Sequence, residues 1–443
     1  MGGHPFLADG VDFGDVLLSL VMVVAAFVIC LVATMLMVWF ERKVVSRLQN
    51  RIGPNVAGPF GLLQTLADGI KLFFKEDIIP TRSDRFVFQL APYLSLVPAF
   101  LTFTLVPIAG DFSGGNGSST VFGREFYWQV ADVPVGILFF LAMSSLGIYG
   151  IMLAGWSSGS KYPLLASVRA SAQAISYEAA LGLSLASVLL VAGTLSTHDI
   201  VLGQAGSLQT LNVVATGFVP FVVFLIAGTA ELNRPPFDLV EAEQELVGGF
   251  HTEYSSIRFA LFFLAEFMNT VTMGAIIVTL FFGGPAPLFD FPFIDFPHAW
   301  WMGFILFFAK LLVFLFIFVW FRASLPRLRY DQLMDLGWKL LIPLSLGWLL
   351  ILGGIRVARD GNIGIVDDSI GDTIIVLVLG GMVLAVGASL IMLANRNARS
   401  ERLRNEGLVA VANPDLGTSR AADHATTGPP GASHDTAQVG ADH

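Results

Sequence analysis

Nine apolar runs punctuate the chain: 16–40, 86–109, 133–156, 170–193, 211–230, 259–282, 299–321, 338–355 and 373–394. A helix rises about 1.5 Å per residue, so a run of about 20 residues crosses a hydrocarbon core of roughly 30 Å. In lipid every backbone N–H and C=O must be bonded within the segment or in a closed barrel. Barrel strands alternate apolar and polar residues, and these runs do not. The pattern predicts an all-α polytopic membrane protein of about nine transmembrane helices. Charge agrees: only 13% of residues are charged, against about 25% in a soluble domain. A cytosolic or secreted globular enzyme is thereby excluded. The eighth run is the shortest, and the residues before the first run carry Asp9, Asp12 and Asp15 but no Lys or Arg, unlike a signal peptide.

Lys and Arg set the expected orientation. Twenty-one of the 25 lie in alternate connections (41–85, 157–169, 231–258, 322–339) and the tail. The opposite connections hold Arg124, Arg356 and Arg359, and Lys310 lies within a run. The N-terminus is expected outside and the C-terminus in the cytoplasm. The outer connections are turn-rich and look passive. Residues 396–443 have too little apolar content to order themselves.

Redox chemistry has no anchor here. Cys30 is the single cysteine, which excludes an intrachain disulfide, a Cys-ligated iron–sulfur cluster and a CxxC motif. No nucleotide-binding glycine loop, zinc motif or nucleophile elbow occurs. Neither a catalytic group nor a metal ligand is expected, and electrons would arrive at a neighbour.

The inner connections carry the polar chemistry. Residues 60–75 place Leu62, Leu63, Leu66, Ile70, Phe73 and Phe74 on one helical face and Gln64, Asp68, Lys71 and Lys75 on the other. That segment is too short to span and should lie in the interface. The connection 230–255 holds Glu231, Asp238, Glu241, Glu243, Glu245 and Glu253 around the single base Arg234. Like charges and desolvation both raise carboxylate pKa values, so some of these are expected to hold protons near neutral pH. A solvated acidic face is the alternative, and the apolar neighbours, Phe237 among them, speak against it.

Ionisable groups inside spans are functional candidates by default. Glu178 is the ninth residue of its run and Glu266 the eighth, which places both roughly 12–13 Å deep. They could serve a lateral proton path, or pair structurally with Lys310. The cationic connections contribute Arg42, Lys43, Arg47, Arg51, Lys161, Arg169, Arg322, Arg327 and Arg329. Topology alone explains several of them. Arginines in compact Pro- and Gly-containing loops suit fixed geometry against carboxylates.

Four segments carry a family resemblance: ERK…QNRIGPNVAGPFGLLQTLADGIKLFFKED (41–77), GWSSGSKYPLLASVRASAQAISYE, AELNRPPFDLVEAEQELVGGFHTEYS and RASLPRLRYDQLMDLGWK. In order and content they resemble the inner loops of the H subunit of bacterial NADH:quinone oxidoreductase, respiratory complex I, the counterpart of mitochondrial NADH dehydrogenase subunit one. The resemblance runs from about residue 16 to about 355. It implies a core of eight helices over 1–355, with an added ninth helix (356–395) and a tail (396–443). It implies a quinone opening bordered by the first run, the sixth run and segment 60–75. Arg42, Asp68, Phe237, Arg322, Arg327 and Arg329 are assigned by that resemblance to the quinone chamber. Glu178, Glu231, Asp238, Glu241, Glu243, Glu245, Glu253, Glu266 and Lys310 are assigned to a proton path. Quinone is then the substrate. FMN and iron–sulfur clusters would reside on partners, which are the soluble quinone-site subunits and small membrane subunits of the complex. The bilayer is the other partner, and no nucleic acid is expected.

Two other classes compete. A membrane-bound hydrogenase subunit would share the fold without quinone, and the aromatic-rich first and sixth runs with segment 60–75 favour quinone. A stand-alone transporter would be expected to show internal repeats and helices broken at the midplane, and the sequence suggests neither.

Overall fold

A computed structural model describes residues 13–112, 116–121, 124–239, 247–288, 300–360, 375–385 and 387. The expectations for Glu241, Glu243, Glu245 and the tail 396–443 lie outside the described residues. The chain divides into two compact units, Met1–Gly381 and Met382–His443. Of the second, only 382–385 and 387 are described, as helix. The first holds the helical bundle.

The described elements are almost all helical. They are α1 (Phe13–Leu48), α2 (Gln64–Phe73), α3 (Arg85–Phe103), α4 (Gly136–Ser157), α5 (Lys161–Ala192), α6 (Thr197–Gln204), α7 (Asn212–Ala215), α8 (Val219–Glu231), α9 (Ser256–Phe281), α10 (Trp300–Ser324), α11 (Tyr330–Asp335) and α12 (Ile342–Asp360), with a π-helical turn at Leu336–Leu341. One antiparallel hairpin pairs Ser118–Val121 with Arg124–Tyr127. Among the described residues seven helices are long and apolar enough to cross a membrane, and Val219–Glu231 and Ile375–Ala385 are apolar but shorter. The all-α polytopic class expected from the sequence is what the chain adopts.

The alternate connections gather at two ends. At one end Asp84 N donates to Ser157 O, Leu328 N to Pro236 O, and Ser256 Oγ to Lys75 O. At the other, Ile137 N donates to Leu195 O, and the ring of His198 lies 3.0 Å from Asn116 O. The first end carries the basic connections and segment 60–75.

Helix ends follow local chemistry. Asp84 caps α3 by accepting from Phe86 N and Val87 N. Gly193 ends α5 in the left-handed region at φ 71°, where it has no Cβ to clash. Segment 60–75 does form a helix, but a short one of ten residues (α2), with Leu63, Leu66, Ile70 and Phe73 exposed.

The fifth run corrects the sequence reading. It is not one continuous span. The chain turns at Gly217 (φ 79°) and Phe218 (φ 64°), and only the 13 residues of α8 follow as helix. The reading of 211–230 as a single spanning run therefore fails. Backbone freed inside a bundle needs polar partners; Trp348 supplies one at this turn, and Gln204 and Asn212 serve the start of the run and the end of α9. Gln204 Oε1 accepts from Asn212 N and Gly283 N, and its Nε2 donates to Thr279 O at 3.0 Å. Asn212 Nδ2 donates to Leu280 O at 2.8 Å, and Trp348 Nε1 to Thr216 O at 2.8 Å. Hydropathy hides such a break because its residues are themselves mostly apolar.

Candidate functional site

Glu41 lies near the basic end of α1 and is 5% exposed. Its two oxygens take different arginines. Arg234 Nη1 lies 2.5 Å from Oε2, and Arg322 Nη1 donates to Oε1. Arg234 is 2% exposed, sits 4.6 Å above the Phe267 ring and reaches Glu266 Oε1 at 3.6 Å. Charges this deep persist only when paired and hydrogen-bonded. The cluster joins α1, the turn after α8, α9 and α10.

Beside it opens a cavity of about 430 Å³, whose wall includes Glu41, Arg42, Arg51, Phe263, Glu266 and Arg322. Arg42 pairs with Asp68 of α2 at 2.6 Å, which ties the amphipathic helix to this wall. Of the residues assigned to a quinone chamber, the structure thus brings Arg42, Asp68 and Arg322 together. Phe237 is placed elsewhere: it is buried, 5.5 Å from the Tyr177 ring, and its carbonyl accepts from Gln173 Nε2. Arg327 pairs with Asp238 at 2.8 Å, also away from that wall. Arg329 is exposed at the start of α11.

A second cavity, of about 120 Å³, lies between α3, α4, α5 and α9 and is lined by Ser144, Glu231, His251 and Glu266 among others. Glu266 belongs to both walls. Glu231 and Glu178 are held by neighbouring serines of α4: Ser144 Oγ donates to Glu231 Oε1, and Ser145 Oγ to Glu178 Oε1. The assigned proton-path residues Glu178, Glu231 and Glu266 therefore surround one region. Asp238 is ion-paired to Arg327, and Glu253 is half-buried in the turn before α9.

Lys310 stands apart. Its ammonium donates to the carbonyls of Phe282 (2.8 Å), Gly284 (2.8 Å) and Ala286 (2.5 Å) beyond the C-terminus of α9. An ammonium has three donors, and all three are used on backbone. The pairing with Glu178 or Glu266 suggested by run depth does not form. Depth counted from run edges also misleads, because α5 starts at Lys161, well before the apolar run.

The segment after the acidic stretch is firmly held. Tyr254 stacks on Phe88 at 4.0 Å, and its hydroxyl donates to Phe88 O. Burial pushes the Tyr254 hydroxyl up to about 12. Burial pushes His251 down to about 4, so the imidazole is neutral at neutral pH. Ser255 and Ser256 hydroxyls bond the carbonyls of Glu76, Leu72 and Lys75, which ends α2.

Sequence reasoning gave no role to Glu41, Ser144, Ser145 or His251, and it left Arg234 as a lone base. Glu41 had a signal, being a carboxylate directly after an uncharged run. The serines had none, since hydroxyls are ordinary in apolar helices.

The family model described as NADH dehydrogenase matches residues 20–353. The H subunit of the NADH-quinone oxidoreductase of Frankia casuarinae is 52% identical over 342 residues, covering 77% of this chain and 73% of the relative. The protein of the same name from Frankia alni is 51% identical over 357 residues, covering 80% and 76%.

Proposed function

The chain belongs to the NADH dehydrogenase family and is a membrane subunit of an NADH-quinone oxidoreductase, respiratory complex I, and from that premise we propose that it frames the quinone channel and couples quinone reduction to proton translocation. Reduction adds two electrons and two protons to the quinone. The electrons come from NADH through FMN and iron–sulfur clusters on partner subunits. This chain supplies walls, fixed charge and a proton route. It holds its basic end toward the cytoplasm, as the positive-inside bias requires.

The role of the cavity beside Glu41 is to pass the quinone head group between α1, α9 and α10. Arg42 and Arg322 present cations to it, held in place by Asp68 and Glu41. Charge that appears on the head group during reduction is felt there, because the surroundings screen it weakly. Arg234 carries that change to Glu266, which loosens or tightens its hold on a proton. Glu231 and Glu178 continue the path inward, together with the acidic stretch Glu241, Glu243, Glu245 and Glu253. Asp238 with Arg327, and Phe237 against Tyr177, brace the loop.

The observation that carries this reading is that Glu266 lies on the walls of both cavities and 3.6 Å from Arg234. Glu266→Gln in inverted membrane vesicles tests it. Quinone-linked NADH oxidation and proton uptake are expected to fall together, with NADH oxidation by ferricyanide unchanged. Wild-type pumping in that variant would refute the coupling.

A further inference from the structure

Among the described residues, four buried side-chain atoms on the wall of the smaller cavity have no hydrogen-bond partner within the chain: Ser95 Oγ, Glu231 Oε2, His251 Nδ1 and Thr272 Oγ1. They come from α3, the end of α8, the turn before α9, and α9 itself. Such an atom is costly to leave unbonded. Buried polar groups that lack a protein partner are bridged by ordered water where the site is polar and roomy enough. A cavity of about 120 Å³ has that room. Four such residues from separate elements on one cavity wall fit a small water cluster better than four independent defects.

His251 differs from the other three. A neutral imidazole offers one acceptor nitrogen and one donor nitrogen on opposite sides of a rigid ring. It can take a proton on one side and release one on the other. Its ring packs against Phe259 (centroids 5.3 Å apart, planes at 30°) and Phe250 (5.1 Å). Its backbone is fixed, since Tyr254 N donates to His251 O at 3.0 Å. In sequence it stands six residues after Glu245 and two before Glu253. The charged groups near it are Glu231 and Glu266 on the same cavity wall, Glu253 in the same turn, and Arg258 of α9, itself paired with Asp77 at 3.1 Å.

We propose that His251 is a proton-relaying residue at the mouth of this cavity, its Nδ1 bonded to water that leads to Glu231. This role rests on the proton path proposed for Glu231, Glu178 and Glu266. The imidazole takes a proton on one ring nitrogen and passes one from Nδ1 into the cavity water. It returns to its starting form by ring reorientation. No electron moves, and no bond other than N–H and O–H bonds is made or broken. Burial, which keeps the ring neutral at rest, suits a relay better than a store.

The test uses the whole complex in inverted membrane vesicles. His251→Phe keeps the ring stack and removes both nitrogens. It is expected to slow quinone-linked NADH oxidation by about tenfold and to enlarge the solvent deuterium isotope effect, with ferricyanide reduction unchanged. His251→Asn, whose amide sits where Nδ1 was, should recover most of the rate. His251→Gln, whose amide sits nearer the other nitrogen, should recover less. A wild-type rate and isotope effect in His251→Phe would overturn the proposal. If that variant fails to assemble, Asn and Gln decide: Asn above Gln supports the relay, and equal or reversed rates overturn it. Glu231→Gln measured in parallel separates the two readings. Slow turnover there with normal turnover in His251→Phe defeats only the relay, whereas normal turnover in Glu231→Gln defeats the path on which it rests.

Discussion

Arg234 Nη1 lies 2.5 Å from Glu41 Oε2, across 193 positions of sequence. Both side chains are almost wholly buried, at 2% and 7% exposure. Removing one partner of such a pair leaves a charge without compensation, which costs about 3–5 kcal/mol. Glu41→Ala strands Arg234 and removes a partner from Arg322. It is expected to lower the melting temperature of the complex and the amount of assembled enzyme, seen on native gels. Arg322 is 40% exposed, so Arg322→Ala should cost far less, because water replaces the lost contact. Equal losses in the two variants would contradict this ranking.

Most of the fold was legible because hydropathy is a strong, local signal. Eight of the nine apolar runs have a described helix over most of their length, and the ninth run has one over 375–385. The break at Gly217–Phe218 was not legible, because the side chain that bonds the turn, Trp348 on Thr216 O, comes from 132 positions further along the chain. The site was legible as a set of residue types in basic and acidic loops. Which partner each charge takes was not. Glu41 meets Arg234 and Arg322 only once α1, the turn after α8 and α10 are packed, and no spacing along the chain encodes that meeting. Lys310 shows the limit most clearly. Its depth in a run suggested a carboxylate partner, while the acceptors it meets in space are carbonyls freed where α9 ends.

Those three carbonyls give Lys310 a role that can be measured. Lys310→Met keeps the length of the side chain and removes every donor. Unpaired buried acceptors cost about 1–3 kcal/mol each, so the turn 282–286 should loosen. The expected result is a lower melting temperature and faster proteolysis near that turn, with normal turnover per assembled complex. A stable complex that turns over but fails to pump would instead place Lys310 in the proton path.

The exposed face of α2 bears on how quinone arrives. Leu63, Leu66, Ile70 and Phe73 are all at least 48% exposed, and Trp39 Nε1 donates to Phe60 O at 3.0 Å just before the helix. A long isoprenoid tail passing this face would be hindered by added bulk. Ala67→Trp should raise the KM for long-tailed quinone more than for short-tailed analogues. Equal loss for both, with assembly intact, would show that α2 does not border the opening.

Glu231 and Glu178 are held by consecutive residues, Ser144 and Ser145 of α4. Two carboxylates against one helix face cannot both be ionised in a low-dielectric setting without a counter-charge. Lys310 is committed elsewhere, and Arg234 is engaged with Glu41 and Glu266. Glu178→Gln and Glu231→Gln preserve size and hydrogen bonding, so the complex should assemble with either. Each fixes one site as permanently neutral, so protons can no longer step from one to the other. Proton uptake and quinone-linked turnover are expected to drop together by about tenfold or more, while ferricyanide reduction stays at the wild-type rate. Ser145→Ala removes one hydrogen bond of about 1–3 kcal/mol from the ionised form of Glu178, and should slow turnover less than Glu178→Gln does. Either Gln variant pumping at the wild-type rate, or Ser145→Ala slower than Glu178→Gln, would remove the pair from the path.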